Sequence, residues 1–259
     1  MARDLLASRE LAWRLFVRNI SAQYRQTALG YLWAFLPPLV TTGLWVALNR
    51  SRVLSVGETP IPYAAFVLVG TLLWQVFADA LNSPLRLVTQ SKAMLAKINF
   101  PREALILAAF GEVFFNFLVR LVLLVGVLVW YELPLSWTIT LAPLGVFTLI
   151  ALGMMLGLAV TPLGILYQDV QMAVAILLQV WFFLTPIIYP PPESGFLSLV
   201  TKLNPVTPIL LSTRDWLTIG PSAHTSGLLL VGCCTSLFGL AAWILYRIAM
   251  PHLIARMAA

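Results

Sequence analysis

Runs of about 20 apolar residues, separated by short polar or proline-rich stretches, recur along the whole chain. A helix of that length rises roughly 30 Å, the thickness of a bilayer's hydrocarbon core. The pattern therefore predicts six spans, at about 30–48, 63–83, 104–130, 138–163, 171–189 and 225–249. Residues 5–25 follow a different period. Trp13, Phe16, Val17, Ile20 and Tyr24 recur at helical spacing, while Arg14, Arg18 and Arg25 fall on the other side. That stretch is too charged to span. It predicts an amphipathic helix lying in the membrane interface, its arginines near lipid phosphates. The domain division is then an interfacial helix at 1–28 and a six-helix membrane domain at 29–259.

Prolines punctuate this pattern. Pro37-Pro38 falls near the middle of the first span, and Thr185-Pro186 closes the fifth, ahead of Pro190-Pro191-Pro192. A prolyl ring removes a donor and clashes with the preceding turn, so Pro186 predicts a kink or an end near one membrane face. The fifth span opens with a polar turn, Tyr167-Gln168-Asp169-Val170. Residues 191–223 hold only the short apolar runs 196–200 and 206–211. Neither can span, so they predict re-entrant or interfacial half-helices around Asn204-Pro205, before the last span. The expected fold is an all-α integral membrane protein.

Composition agrees with that fold. The 259 residues are 60% hydrophobic and 10% charged, with a mean hydropathy of +0.91, against about 25% charged in soluble domains. A water-soluble chain of this size cannot bury that much apolar surface. The net charge of +6 is a topological signal, and no nucleic-acid partner is expected from it. With six spans, Arg3, Arg9, Arg14, Arg18, Arg25, Arg86, Lys92, Lys97, Arg102, Arg247 and Arg256 share one side. The other side holds Arg50, Arg52, Lys202 and Arg214. That asymmetry predicts a multi-pass protein with both termini in the cytoplasm. The N-terminal stretch lacks a signal-peptide core. Cys233 and Cys234 are adjacent inside an apolar run, which excludes a disulfide framework and suits small packing residues.

Candidate chemistry is sparse. The sequence has no GxxxxGK[ST], HExxH or GxSxG motif. His224 and His252 fall near opposite faces, so no metal site is expected. This inventory points to conduction or binding rather than bond-making. Glu112, Asn116 and Arg120 form a polar stripe along the third span. It is either a relay or a structural tie to a neighbouring helix; a guanidinium that cannot be deprotonated favours the tie. Asp79, with Asn82 and Ser83, is either a gate contact or a hydrated group near a helix end. Tyr63, Phe66, Gly70, Trp74 and Phe77 share one face of the second span. Those rings either stack on sugar C–H faces in a wet channel or pack against another helix. Gly153 and Gly157 make a small-xxx-small pair that admits close helix approach.

Several stretches in register resemble a known family. They are Tyr24-Arg25-Gln26-Thr27-Ala28-Leu29-Gly30-Tyr31-Leu32-Trp33, Lys97-Ile98-Asn99-Phe100-Pro101-Arg102-Glu103, and Tyr167-Gln168-Asp169-Val170 with Leu184-Thr185-Pro186-Ile187-Ile188-Tyr189 and Leu203-Asn204-Pro205. Over nearly the whole chain these are similar to the type-2 ABC exporter permeases of polysaccharides, particularly O-antigen export subunits. Gln168 stands where that family has arginine. The resemblance implies a homodimer of six-helix subunits in the bacterial inner membrane, enclosing a channel for lipid-linked polysaccharide such as O-antigen. Two copies of a separate ABC ATPase would bind ATP and Mg, with no cofactor in this chain and no enzymatic activity of its own.

By the same resemblance, Lys97, Asn99, Phe100, Pro101, Arg102 and Glu103 would dock on the ATPase, with the amphipathic helix alongside. Tyr167 and Asp169 would form a cytoplasmic turn, and Pro186, Asn204 and Pro205 an outer gate. The first, second and fifth spans would line the channel. That assigns Tyr63, Phe66, Trp74, Phe77, Trp181 and Phe182 as sugar contacts. Capsule or teichoic-acid chains are alternative cargoes. An ion-coupled secondary transporter predicts internal repeats, and none is visible. A membrane-embedded lipid-linked glycosyl transferase would need clustered acids, whereas the ten acids here are scattered.

Overall fold

A computed structural model of the chain describes residues 8–25, 30–52, 56–92, 94, 103–134 and 136–258. Among them the regular elements are all helical. Helix α1 is Arg9–Arg25; a 3-10 turn, Gly30–Ala34, leads into α2, Leu36–Arg50. Then follow α3, Tyr63–Gln90, and α4, Glu103–Trp130. A second 3-10 turn, Trp137–Leu141, runs into α5, Ala142–Leu166. The chain closes with α6, Val170–Leu184; α7, Phe196–Leu203; α8, Val206–Thr218; and α9, Thr225–Ala258. Four stretches are long and apolar enough to cross a membrane: Tyr63–Gln90, Glu103–Trp130, Trp137–Leu166 and Thr225–Pro251. With α6 as a shorter apolar helix, they make this a multi-pass membrane protein.

Several boundaries differ from the sequence expectation, each for a local reason. Pro37 and Pro38 do not interrupt a span; they occupy the first turn of α2, where a missing N–H costs nothing. Helix α3 does not stop at 83 but continues through Pro84 to Gln90. Leu85, Leu87 and Val88 beyond the proline are all buried, and their packing offsets the lost backbone bond. Helix α6 ends at Leu184 rather than 189. Thr185 adopts an extended conformation (φ −102°, ψ 137°), as the residue before a proline is driven to do. Its hydroxyl donates to the carbonyl of Trp181, closing the last turn. Helix α9 runs on past 249, through Pro251, to Ala258.

Helix α3 is the centre of the packing, buried over most of its length between α5, α4 and α2. Its closest neighbour is α5, and glycine makes the approach feasible. A Cβ on Gly153 would lie 2.6 Å from Cβ of Ala80 and 2.7 Å from the carbonyl oxygen of Phe77. On Gly157 it would strike the carbonyl of Leu81. Helices α4 and α9 are peripheral. They expose Val122, Val125 and Val129, and Leu237, Phe238 and Leu245, respectively. A helix apolar on its open face belongs against lipid.

Helix α1 packs along α4 with Ala12, Leu15 and Ile20 buried. The expected single apolar stripe is thus divided. Ile20 is buried and Phe16 packs beside Gly111 of α4, whereas Trp13 and Val17 remain exposed.

Candidate functional site

Two polar clusters lie at opposite ends of α3. The first is near its Gln90 end, on the side facing α4. The α4 stripe does not pair internally. Arg120 donates to Asp79 at 2.6 Å, and Arg86 donates to Glu112 at 2.7 Å. Two successive turns of α4 are thus tied to two successive turns of α3 by ion pairs of opposite polarity. The structural tie is the reading that the geometry supports. Glu112 is 1% exposed. It also accepts from Nδ2 of Asn19 at 2.8 Å, which fastens α1 to the same node. Asp79, Ser83, Asn116 and Arg120 line a polar cavity of about 90 Å³ beside these pairs. A carboxylate buried with two donors is stable only as a set. Removing one partner leaves the other's charge or lone pairs uncompensated.

The flanks of the expected ATPase-docking loop are pinned nearby. Lys92 donates through Nζ to the carbonyl of Ile165 at 2.8 Å, in the last turn of α5. A cation there also meets the negative end of the helix dipole. Glu103 begins α4 and lies 3.7 Å from Nε of Arg247 on α9. Lys97, Asn99, Phe100, Pro101 and Arg102 fall outside the described residues. Tyr167 and Asp169 are exposed in the turn between α5 and α6, next to the carbonyl that Lys92 caps.

The second cluster surrounds the break after α6. Asn204 sits between α7 and α8 and is 7% exposed. Its Oδ1 accepts from Trp181 Nε1 at 2.9 Å and from the backbone N–H of Val206 at 3.0 Å. Its Nδ2 donates to Thr185 Oγ1 at 2.8 Å. The next carbonyl, of Pro186, accepts from Arg214 at 3.2 Å. Two residues later, the carbonyl of Ile188 accepts from the hydroxyl of Tyr63 at 3.1 Å. The Arg214 guanidinium stands 3.7 Å over the ring of Phe66, a cation–π contact in a dry setting. Residues 185–188 are therefore held from three sides, by α3, α8 and the α7–α8 junction. A Cβ on Gly70 would come within 2.9 Å of the carbonyl oxygen of Ile187, so this seat on α3 requires glycine. Pro186 and Asn204 meet through Thr185, while Pro205 caps the start of α8.

The expected sugar-contact residues form one aromatic cluster. Trp74 packs on Phe77, Trp181 and Phe182 with ring centroids 5.2–6.4 Å apart, and Phe77 packs on Trp181 at 5.3 Å. Phe66, Trp74 and Phe77 are buried within the subunit; Tyr63, Trp181 and Phe182 are half-buried. In this conformation the α3 rings back the α6 rings, whose outer edges reach the surface beside exposed Phe183.

Sequence reasoning missed Asn19, Arg86, Lys92, Thr185 and Arg214. Arg86 and Lys92 were read only as loop charge, and Arg214 only as a charge on the far side. The available signal was helical register: Asp79, Ser83 and Arg86 are spaced at i, i+4 and i+7, one polar face continuing through Pro84.

Residues 10–216 match the family described as ABC-2 type transporter. The chain is 28% identical over 216 residues to the O-antigen export system permease protein RfbA of Myxococcus xanthus, covering 82% of each chain. It is 26% identical over 210 residues to the protein of the same name from Klebsiella pneumoniae, covering 76% of each. The family match spans both clusters and the helix between them, and this chain belongs to the ABC-2 type transporter family.

Proposed function

We propose that this chain is the channel-forming subunit of an ATP-driven exporter that moves lipid-linked O-antigen polysaccharide across the bacterial inner membrane. What carries the reading is the extended similarity to permeases named for O-antigen export, on a fold in which one helix joins the docking-loop end to a locked outer end. Helix α3 has 28 residues, about 42 Å of rigid rod. Its far end seats the carbonyl of Ile188, and its near end carries the ion pairs that collect α1 and α4.

In this reading the chain crosses the membrane six times, with both termini in the cytoplasm. Helix α2 is extended by its 3-10 turn and α6 by residues 185–189, and α7 and α8 form an outer re-entrant pair. Two copies face each other through α2 and α6 and recruit two ABC ATPase subunits, which bind ATP and Mg. The ATPases engage residues 97–103, flanked by Lys92 and Glu103. Their closure tilts α3 and α4 as a unit through the Asp79–Arg120 and Arg86–Glu112 pairs. The tilt withdraws Tyr63 and Phe66 from residues 185–188, opening the outer end. Trp181 and Phe182, with Phe183, offer sugar rings flat apolar faces, a weak contact that tolerates sliding. Capsule or teichoic-acid chains would meet the same surface.

The test is co-purification with the ATPase encoded beside this chain, followed by ATP hydrolysis and export. The expected result is a stable complex in which Lys97→Glu/Arg102→Glu abolishes export. Absence of any associated ATPase, or unchanged export in that variant, contradicts the proposal.

A further inference from the structure

A cavity of about 450 Å³ opens between the Pro191-Pro192 stretch, α7, α8 and the first turns of α9. It plays no part in either polar cluster. Its walls include Leu211, buried, and Leu230, exposed on the side of α9 that faces outward. Three charged or protonatable side chains stand at its rim: Glu193, Lys202 and His224. All are exposed, and none makes an ion pair among the described residues. Thr207 also lines the cavity. It is 6% exposed, and its hydroxyl has no hydrogen-bond partner. A buried hydroxyl without a partner is a costly feature unless a ligand meets it.

We propose that this cavity is a binding site for a resident phosphatidylethanolamine of the outer leaflet. The charge pattern selects the headgroup. Lys202 and His224 suit its phosphate, and Glu193 suits its primary ammonium. The Thr207 hydroxyl meets an oxygen of the glycerol ester region, and one acyl chain leaves along Leu211 and Leu230 into the bilayer. A glycerol headgroup offers Glu193 no cation. A choline headgroup offers a cation without N–H donors. A prenyl diphosphate would bring a second negative charge towards Glu193. The site depends on the exporter reading only for the leaflet it faces.

Native mass spectrometry of the full-length chain, extracted in detergent and offered equal amounts of phosphatidylethanolamine, phosphatidylglycerol and phosphatidylcholine, tests the assignment. Phosphatidylethanolamine should be retained at least about fivefold over either competitor, the range that one or two hydrogen bonds commonly give. Thr207→Val keeps the side-chain shape and should lower that retention about fivefold, roughly one hydrogen bond's worth. Lys202→Glu should do the same. Equal retention of the three lipids, a preference for phosphatidylglycerol or for added prenyl diphosphate, or undiminished retention in Thr207→Val would overturn the proposal. The wild-type ranking needs no variant, so a folding defect in Lys202→Glu leaves the result readable. Export is measured separately in proteoliposomes: a chain that keeps the lipid but does not export upholds the site and refutes the exporter reading.

Discussion

Asn204 illustrates how much one side chain can organise. Its amide uses both ends, accepting from Trp181 and Val206 and donating to Thr185. Asn204→Ala strands two N–H groups in a buried site, which costs about 3 kcal/mol. The detergent-solubilised protein should melt at a lower temperature, and a cysteine at position 188 should become reactive to thiol reagents. Unchanged melting and reactivity would mean that residues 185–188 are held by packing alone. Glu112 has the same standing at the other end. A double-mutant cycle of Glu112→Gln and Arg86→Gln should return a coupling of about 1–3 kcal/mol, at the lower end because Arg86 is partly exposed. Additive effects would deny that the pair acts as a unit.

Asn204 and Pro186 were legible in the sequence, because an Asn-Pro or Thr-Pro step advertises a chain break. The partners of Glu112 were not. Contacts across 26 or 93 residues depend on how each helix is rotated, and local pattern does not encode that.

At the scale of the element, the existence of each predicted span was readable from apolar run length. Its ends were not, wherever proline competed with packing. Pro84 was expected to close the second span, yet the buried leucines that follow outweigh an interior proline's cost of about 3 kcal/mol. That one difference converts Arg86 from loop charge into an ion-pair partner. The α3–α5 seam was legible through Gly153 and Gly157, since small residues four apart have few other uses in an apolar helix. Gly157→Leu places a side chain against the Leu81 carbonyl and should prevent the two helices from meeting. The expected outcome is loss of folded protein from the membrane fraction, with fluorescence size-exclusion chromatography as the readout. A monodisperse variant at wild-type yield would contradict the seam. Lys92→Ala removes a C-terminal cap worth about 0.5–1 kcal/mol, so the melting temperature should fall only slightly. Export should fall more, because the cap ties the docking loop to the turn leading into α6.

For the whole molecule, the apolar surface is unevenly explained. Helices α4 and α9 face lipid, but α2 and α6 expose Leu39, Val40 and Leu44, and Met172, Ile176, Leu177 and Val180, while each is too short to span by itself. Short apolar helices left open on one side suit an interface between copies. Cysteines introduced at Leu44 and Leu177 in a background lacking Cys233 and Cys234 should cross-link two chains in membranes. Cross-links at Phe238 instead would place the interface on α9.

The central claim is ATP-driven export of a lipid-linked polysaccharide. Its most direct test is inverted proteoliposomes holding this chain with its neighbouring ATPase, supplied with lipid-linked O-antigen outside. The account predicts that polymer becomes protected from glycosidase only when ATP and Mg are added, and that Trp181→Ala slows protection without dissolving the complex. Protection without ATP, or none with the intact complex and ATP present, would contradict it.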